Sequence, residues 1–175
     1  MSPDVTSSDA LLNNCEDVMD EIFARCSENA PNFGVRQDCF KDSLRKTAHK
    51  FILNSDGDSP PSVEEIKDFL NSIQHDDLFM ALACANGSER AWWEFDQNHR
   101  SYLERVARHL ASTEIDAQEV IDTVYVELYG TRVVDGERVS KFASYSGRGS
   151  LRGCPWPLKH QTVAEDSGLR PDTYP

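Results

Sequence analysis

Apolar residues recur along this chain at helical spacing, in blocks separated by polar, glycine-bearing or proline-bearing breaks. The first block, Leu11, Leu12, Cys15, Val18, Met19, Ile22, Phe23 and Cys26, steps by three and four and predicts one helix, which "NAPNFG" stops. Val35, Cys39, Phe40, Leu44, Ala48, Phe51 and Ile52 predict a second, ended by the loop composition of "NSDGDSPP". Ser62 with Glu65 three positions on has the form of a capping box and opens a third helix over Ile66, Phe69, Leu70 and Ile73.

The pattern then becomes denser. In "DDLFMALACANGSERAWWEF" a short apolar helix ends at Asn86-Gly87 and a new one starts with Ser88 as N-cap. That long helix runs through Trp92, Phe95, His99, Tyr102, Leu103, Val106, Ala107 and Leu110 and breaks around "ASTEID". Asp116 is expected to cap the next helix, whose apolar face is Ala117, Val120, Ile121, Val124 and Leu128 and which closes at Gly130. Only "TRVVDGERVSKF" suggests strand, with Asp135-Gly136 as a hairpin turn too short to found a sheet. The fold class predicted is all-α: residues 1–75 as a helical extension, 76–153 as a helical domain and 154–175 as a disordered tail without apolar repeat.

No apolar run approaches the roughly 18 residues of a membrane span, and "MSPDVTSSDA" lacks the features of a signal peptide, so a cytoplasmic protein with no membrane partner is expected. The five cysteines (Cys15, Cys26, Cys39, Cys84, Cys154) are scattered without a C-x-x-C pair and read as reduced and mostly core-filling. A net charge of −12 argues against nucleic acid for the chain as a whole. The distribution alters that reading: residues 1–87 hold 7 cations against 16 acids, residues 88–140 hold 6 against 11, and residues 141–175 hold 5 against 3. Between Lys141 and Arg152 lie three cations and no acid, so any nucleic-acid contact belongs there.

Signatures of catalysis are thin. "GRGSLRG" falls short of G-x-G-x-x-G and follows no buried strand, and the five histidines lack metal-ligand spacing. The pairs Asp76-Asp77 and Asp116 with Glu119 sit where the helix dipole favours acids in any case. No enzyme, cofactor, catalytic residue or metal site is expected.

The span "FDQNHRSYLERVARHLASTEIDAQEVIDTVYVELYG" followed by "KFASYSGRGSLRG" resembles the second conserved region of bacterial RNA polymerase sigma factors of the extracytoplasmic-function branch, over residues 76–153. "DVMDEI" and "SVEEIKDFLNSIQ" are similar to the leader that one subgroup carries. The resemblance implies promoter-directed transcription initiation. It places the contact with the clamp of the largest core RNA polymerase subunit on Asp116, Gln118, Glu119 and Asp122. It also implies an anti-sigma factor as a further partner.

The same resemblance assigns promoter DNA, at the minus-ten element, to Lys141, Phe142, Tyr145, Ser146, Arg148, Ser150 and Arg152. The residue types suit that role: Phe142 and Tyr145 as stacking faces, the cations on phosphates, and Ser150 opening a helix whose N–H groups favour an anion. Arg100, Arg105 and Arg108 face partner or DNA, or else pair with helix acids such as Glu104. The chain departs from the family after Gly153, where Pro155 and Pro157 each cost a helix interior about 3 kcal/mol. A truncated sigma factor with impaired promoter recognition, lacking the second DNA-binding domain, is the expectation. The alternative is a helical module that docks on polymerase or a regulator without melting DNA.

Overall fold

The computed structural model describes residues 5–54, 59–130 and 132–153, and the expectations for Cys154, Pro155, Pro157 and the tail fall outside them. Seven α-helices occupy most of that chain: α1 (Val5–Asn13), α2 (Glu16–Asn29), α3 (Gln37–Ala48), α4 (Val63–Ser72), α5 (His75–Ala85), α6 (Glu89–Leu110) and α7 (Glu114–Tyr129). A wider π turn, His49–Leu53, prolongs α3. The fold is all-α, as the periodicity predicts, with one antiparallel hairpin, β1 (Arg132–Val134) and β2 (Glu137–Val139), in which Val133 faces Arg138 in register. Asp135 and Gly136 turn it with φ of 53° and 83°. No helix among the described residues is long and apolar enough to cross a membrane.

The local signals explain most boundaries. Ser62 accepts the Glu65 backbone N–H while the Glu65 carboxylate accepts the Ser62 N–H at 2.7 Å, a complete capping box. Ser88 accepts the Ala91 N–H at 3.4 Å, and Asn86 with Gly87 (φ 83°) makes the corner before it. Two expectations need correction. The first apolar block is two helices, because Asn14 turns its amide onto the Ala10 carbonyl at 3.1 Å and Cys15 leaves the helical region at φ −110°, ψ 8°. The break costs the core nothing, since Leu12 and Cys15 on either side of it are both fully buried. The cap of α7 is Thr113, not Asp116: the Thr113 hydroxyl accepts the Asp116 N–H at 3.1 Å, placing Asp116 in the first turn.

One apolar core serves residues on both sides of position 75. Phe79 of α5 lies 6.0, 6.2 and 5.5 Å from the rings of Phe23, Phe33 and Phe40, and the same cluster extends to Val124, Leu128, Phe142 and Leu151. Cys15, Cys26 and Cys84 are buried within it, and burial raises the Cys26 and Cys84 thiols to about 12. Ala107, Ala117 and Ile121 close a smaller cluster between α6 and α7, and Tyr125 packs on both. The Tyr125 hydroxyl donates to Asp96 at 2.6 Å, tying the two helices together at their polar edge.

Charge holds the outer faces. Lys41 and Arg45 of α3 pair with Glu16 of α2, Lys41 also reaches Asp20 at 2.6 Å, and Lys67 of α4 meets Asp17 at 2.9 Å. Three acids of the first half, Glu16, Asp17 and Asp20, are thus paired within the fold. Replacing Ser62 by Ala removes the cap acceptor of α4, and a loss of about 1 kcal/mol is expected in a urea unfolding titration.

Candidate functional site

The segment 140–153 crosses the ends of several helices and is tied to each. Ser140 donates its hydroxyl to the Leu128 carbonyl and accepts the Phe142 N–H at 3.2 Å, which starts a single 3₁₀ turn over Lys141–Ser144. Gly130, at φ 87°, makes this crossing possible, because a Cβ there would lie 2.5 Å from the Val139 carbonyl oxygen. Farther along, the Gln74 N–H donates to the Gly147 carbonyl at 2.8 Å and the Thr47 hydroxyl to the Ser146 carbonyl at 3.1 Å. Gly147, at φ 76°, lies against Ile73, whose Cγ2 would stand 2.3 Å from an added Cβ.

These ties correct the expected role of two rings. Phe142 is fully buried, edge-on to Trp92 at 5.2 Å and Phe95 at 5.0 Å. Tyr145 is buried too, its hydroxyl donating to the Gly149 carbonyl at 2.6 Å. Neither offers a face on which a base could stack, because each fills the core beneath the loop. Ser150 is exposed but opens only the 3₁₀ turn Leu151–Gly153, and the first N–H of that turn, Leu151, already donates to the Asp77 carboxylate at 2.7 Å. The anion expected at this turn is supplied from within the chain.

The cations are better placed. Arg148 is exposed and lies over the rings of Phe51 at 4.8 Å and Phe69 at 5.8 Å. Arg152 is exposed and donates to the Asn98 carbonyl at 3.2 Å. Half-buried Lys141 stands 4.0 Å from Glu127, and half-buried Ser146 contributes its carbonyl to Thr47. On α6, Arg100 pairs with Asp96 and Glu104, Arg108 with Glu104 and Glu114, and Arg105 lies over Tyr102, so the helix-pairing alternative accounts for the two flanking arginines.

The acidic face of α7 is open. Asp116, Gln118, Glu119 and Asp122 are all exposed, opposite the buried stripe of Ala117, Ile121, Val124 and Leu128. Gln118 donates to Asp122 at 2.8 Å, and among the described residues no ion pair engages Asp116, Glu119 or Asp122. Apolar Ile115, Val126 and Tyr129 are exposed on the same helix.

His99 sits where the loop meets α6, stacked on Phe95 at 4.6 Å and bonded to the Phe95 carbonyl at 3.0 Å. Burial pulls its pKa down, and Arg152 nearby acts in the same direction while Asp77 opposes it. His75 is lowered by burial as well; its Nδ1 accepts from Arg25 at 2.7 Å and its Nε2–H donates to the Leu70 carbonyl at 2.7 Å. The residues missed by sequence reasoning are the loop's anchors, Thr47, Gln74, Asp77 and Asn98, and the rings Phe51 and Phe69 under Arg148. Asp77 carried a signal, as a first-turn acid, but its partner lies 74 positions away.

No family model matches the chain, and neither a curated protein nor a solved structure matches it.

Two outcomes test this geometry. Phe142→Ala should destabilise the protein by about 3–5 kcal/mol in urea unfolding, as a core truncation does, where a solvent-facing stacking residue would change stability by less than about 0.5 kcal/mol. The depressed pKa values of His75 and His99 mean that the unfolded chain binds more protons than the native one below the ordinary value of 6.5. Stability should therefore be complete above that pH and fall as the pH is lowered through it, with a smaller fall in His99→Gln, read as Tm between about pH 7.5 and 5.5.

Proposed function

We propose that this chain is a cytoplasmic transcription factor of the sigma type that docks on core RNA polymerase through α7 and meets promoter DNA through the cations of the 141–152 segment. The observation that carries the reading is the open acidic face of α7: Asp116, Gln118, Glu119 and Asp122 project together from a helix whose other side is anchored in the core. Most acids elsewhere in the helical body have work inside the fold, as Glu16, Asp17, Asp20 and Asp77 do. A row of acids with no cation partner among the described residues suits a basic protein surface. It also coincides with the residues that the sigma-factor resemblance assigns to the polymerase clamp. On the loop, Arg148 and Arg152 offer exposed positive charge for phosphates.

A second reading, docking without DNA melting, is favoured by the burial of Phe142 and Tyr145. Capture of an unstacked base needs an accessible π-face, and each of these rings would have to leave the core to provide one. The two readings share the polymerase contact and part at the DNA.

Charge reversal on the exposed face separates docking from folding. Glu119→Arg combined with Asp122→Arg should weaken capture of core RNA polymerase by about tenfold or more while leaving the urea midpoint nearly unchanged, since surface substitutions usually shift stability by less than about 0.5 kcal/mol. Equal capture by wild type and variant would rule out α7 as the docking face. Addition of fork-junction promoter DNA to the captured complex then distinguishes an initiation factor, which retains the DNA, from a docking module, which does not.

A further inference from the structure

Arg148 and the rings beneath it come from distant parts of the chain: Phe51 from the π turn after α3, Phe69 from α4 and Arg148 from the glycine-flanked end of the loop. Both rings are half-buried and the arginine is exposed. Lys50 Nζ stands 5.2 Å from the Phe51 ring, adding a second exposed cation at the same place. Among the described residues neither Lys50 nor Arg148 has a carboxylate within ion-pair distance, in contrast to Lys41, Arg45 and Lys67. Both cations thus rest on aromatic rings without a carboxylate partner among the described residues.

A guanidinium over an aromatic ring is held by its face, while its N–H donors radiate from its edge. Contact with two rings therefore restricts the position of Arg148 without using up its hydrogen-bonding capacity. The backbone is fixed on the same side, because Gly147 lies against Ile73 and its carbonyl is held by Gln74, while the Ser146 carbonyl is held by Thr47. The arginine thus stands on a rigid base made by α3, α4 and the turn into α5.

We propose that Arg148, with Lys50 beside it, is a backbone-phosphate contact for DNA, and that Phe51 and Phe69 are its positioning residues. The N-terminal helices are then part of the nucleic-acid surface, supplying the aromatic support that Phe142 and Tyr145, buried under the loop, do not. This inference rests on the promoter-DNA reading above. A pre-oriented guanidinium loses less side-chain freedom when it meets a phosphate, so the rings act on affinity without adding charge.

The test uses the full chain bound to core RNA polymerase, with fork-junction DNA followed by fluorescence anisotropy across a salt titration. Arg148→Ala should weaken binding and reduce the slope of log affinity against log salt by about one, as removal of one phosphate contact does. Phe51→Leu and Phe69→Leu keep the charge, so each should weaken binding by about two- to fivefold with the slope unchanged, and Phe51→Tyr, which retains a ring, should bind like wild type. Arg148→Lys keeps the charge but not the planar stacking group, and because the side chain is exposed its folding is not at issue; it should lose affinity to a similar degree.

If Arg148→Lys and both leucine variants bind like wild type while Arg148→Ala does not, the positioning role is overturned and the DNA reading stands. If Arg148→Ala also binds like wild type, the phosphate contact is overturned. If the wild-type chain adds no DNA affinity to core polymerase, the promoter-DNA reading fails and this inference with it.

Discussion

The edge-on seating of Phe142 between Trp92 and Phe95 sets the position of everything that follows α7. With ring centroids 5.2 and 5.0 Å away and no exposed surface, Phe142 anchors the loop to α6. Ser140 completes the anchor by bonding both the end of α7 and the N–H of Phe142. From that fixed point the chain reaches Gln74, Asp77 and Asn98, each of which takes up a backbone or side-chain group of the loop. A glycine-rich stretch with the composition of a mobile loop is thereby a strap across the helical body.

That strap decides which chemistry the loop can offer. Its aromatic residues face inward and its cations outward, the reverse of an arrangement in which rings capture bases and cations merely assist. Arg148 acquires aromatic neighbours all the same, from α4 and the turn after α3. The helices before position 75 therefore border the candidate site as well as forming the core. Phe79 packed among Phe23, Phe33 and Phe40 gives the structural reason: the two halves share one apolar interior and present their surfaces in a fixed relation.

Charge is divided in a similar way. Glu16, Asp17 and Asp20 of α2 are met by cations of α3 and α4 and contribute to packing those helices. Partly exposed pairs of this kind add little stability each, but they engage Lys41, Arg45 and Lys67 within the fold. Among the described residues, Asp116, Glu119 and Asp122 on α7 have no such counterpart. A net charge of −12 thus conceals an internal share and an outward share, and only the outward share can select a partner.

The sequence by itself determined the helices, because three- and four-residue apolar steps and caps such as Ser62 and Ser88 act within a few residues of the groups they organise. It misjudged the break at Asn14-Cys15 and the cap at Thr113, where side chains compete for neighbouring backbone groups and spacing alone does not name the winner. The open face of α7 was legible for the same local reason: alternation around one helix tells inside from outside. The state of the loop, by contrast, follows from packing alone. Whether Phe142 stacks on bases or fills a core depends on Trp92 and Phe95, and whether Leu151 offers its N–H depends on Asp77, partners brought near only by the packing of α5 and α6. Contacts across such separations leave no periodic trace in a chain, since their geometry is set by how helices pack and not by the spacing of residues along any one of them.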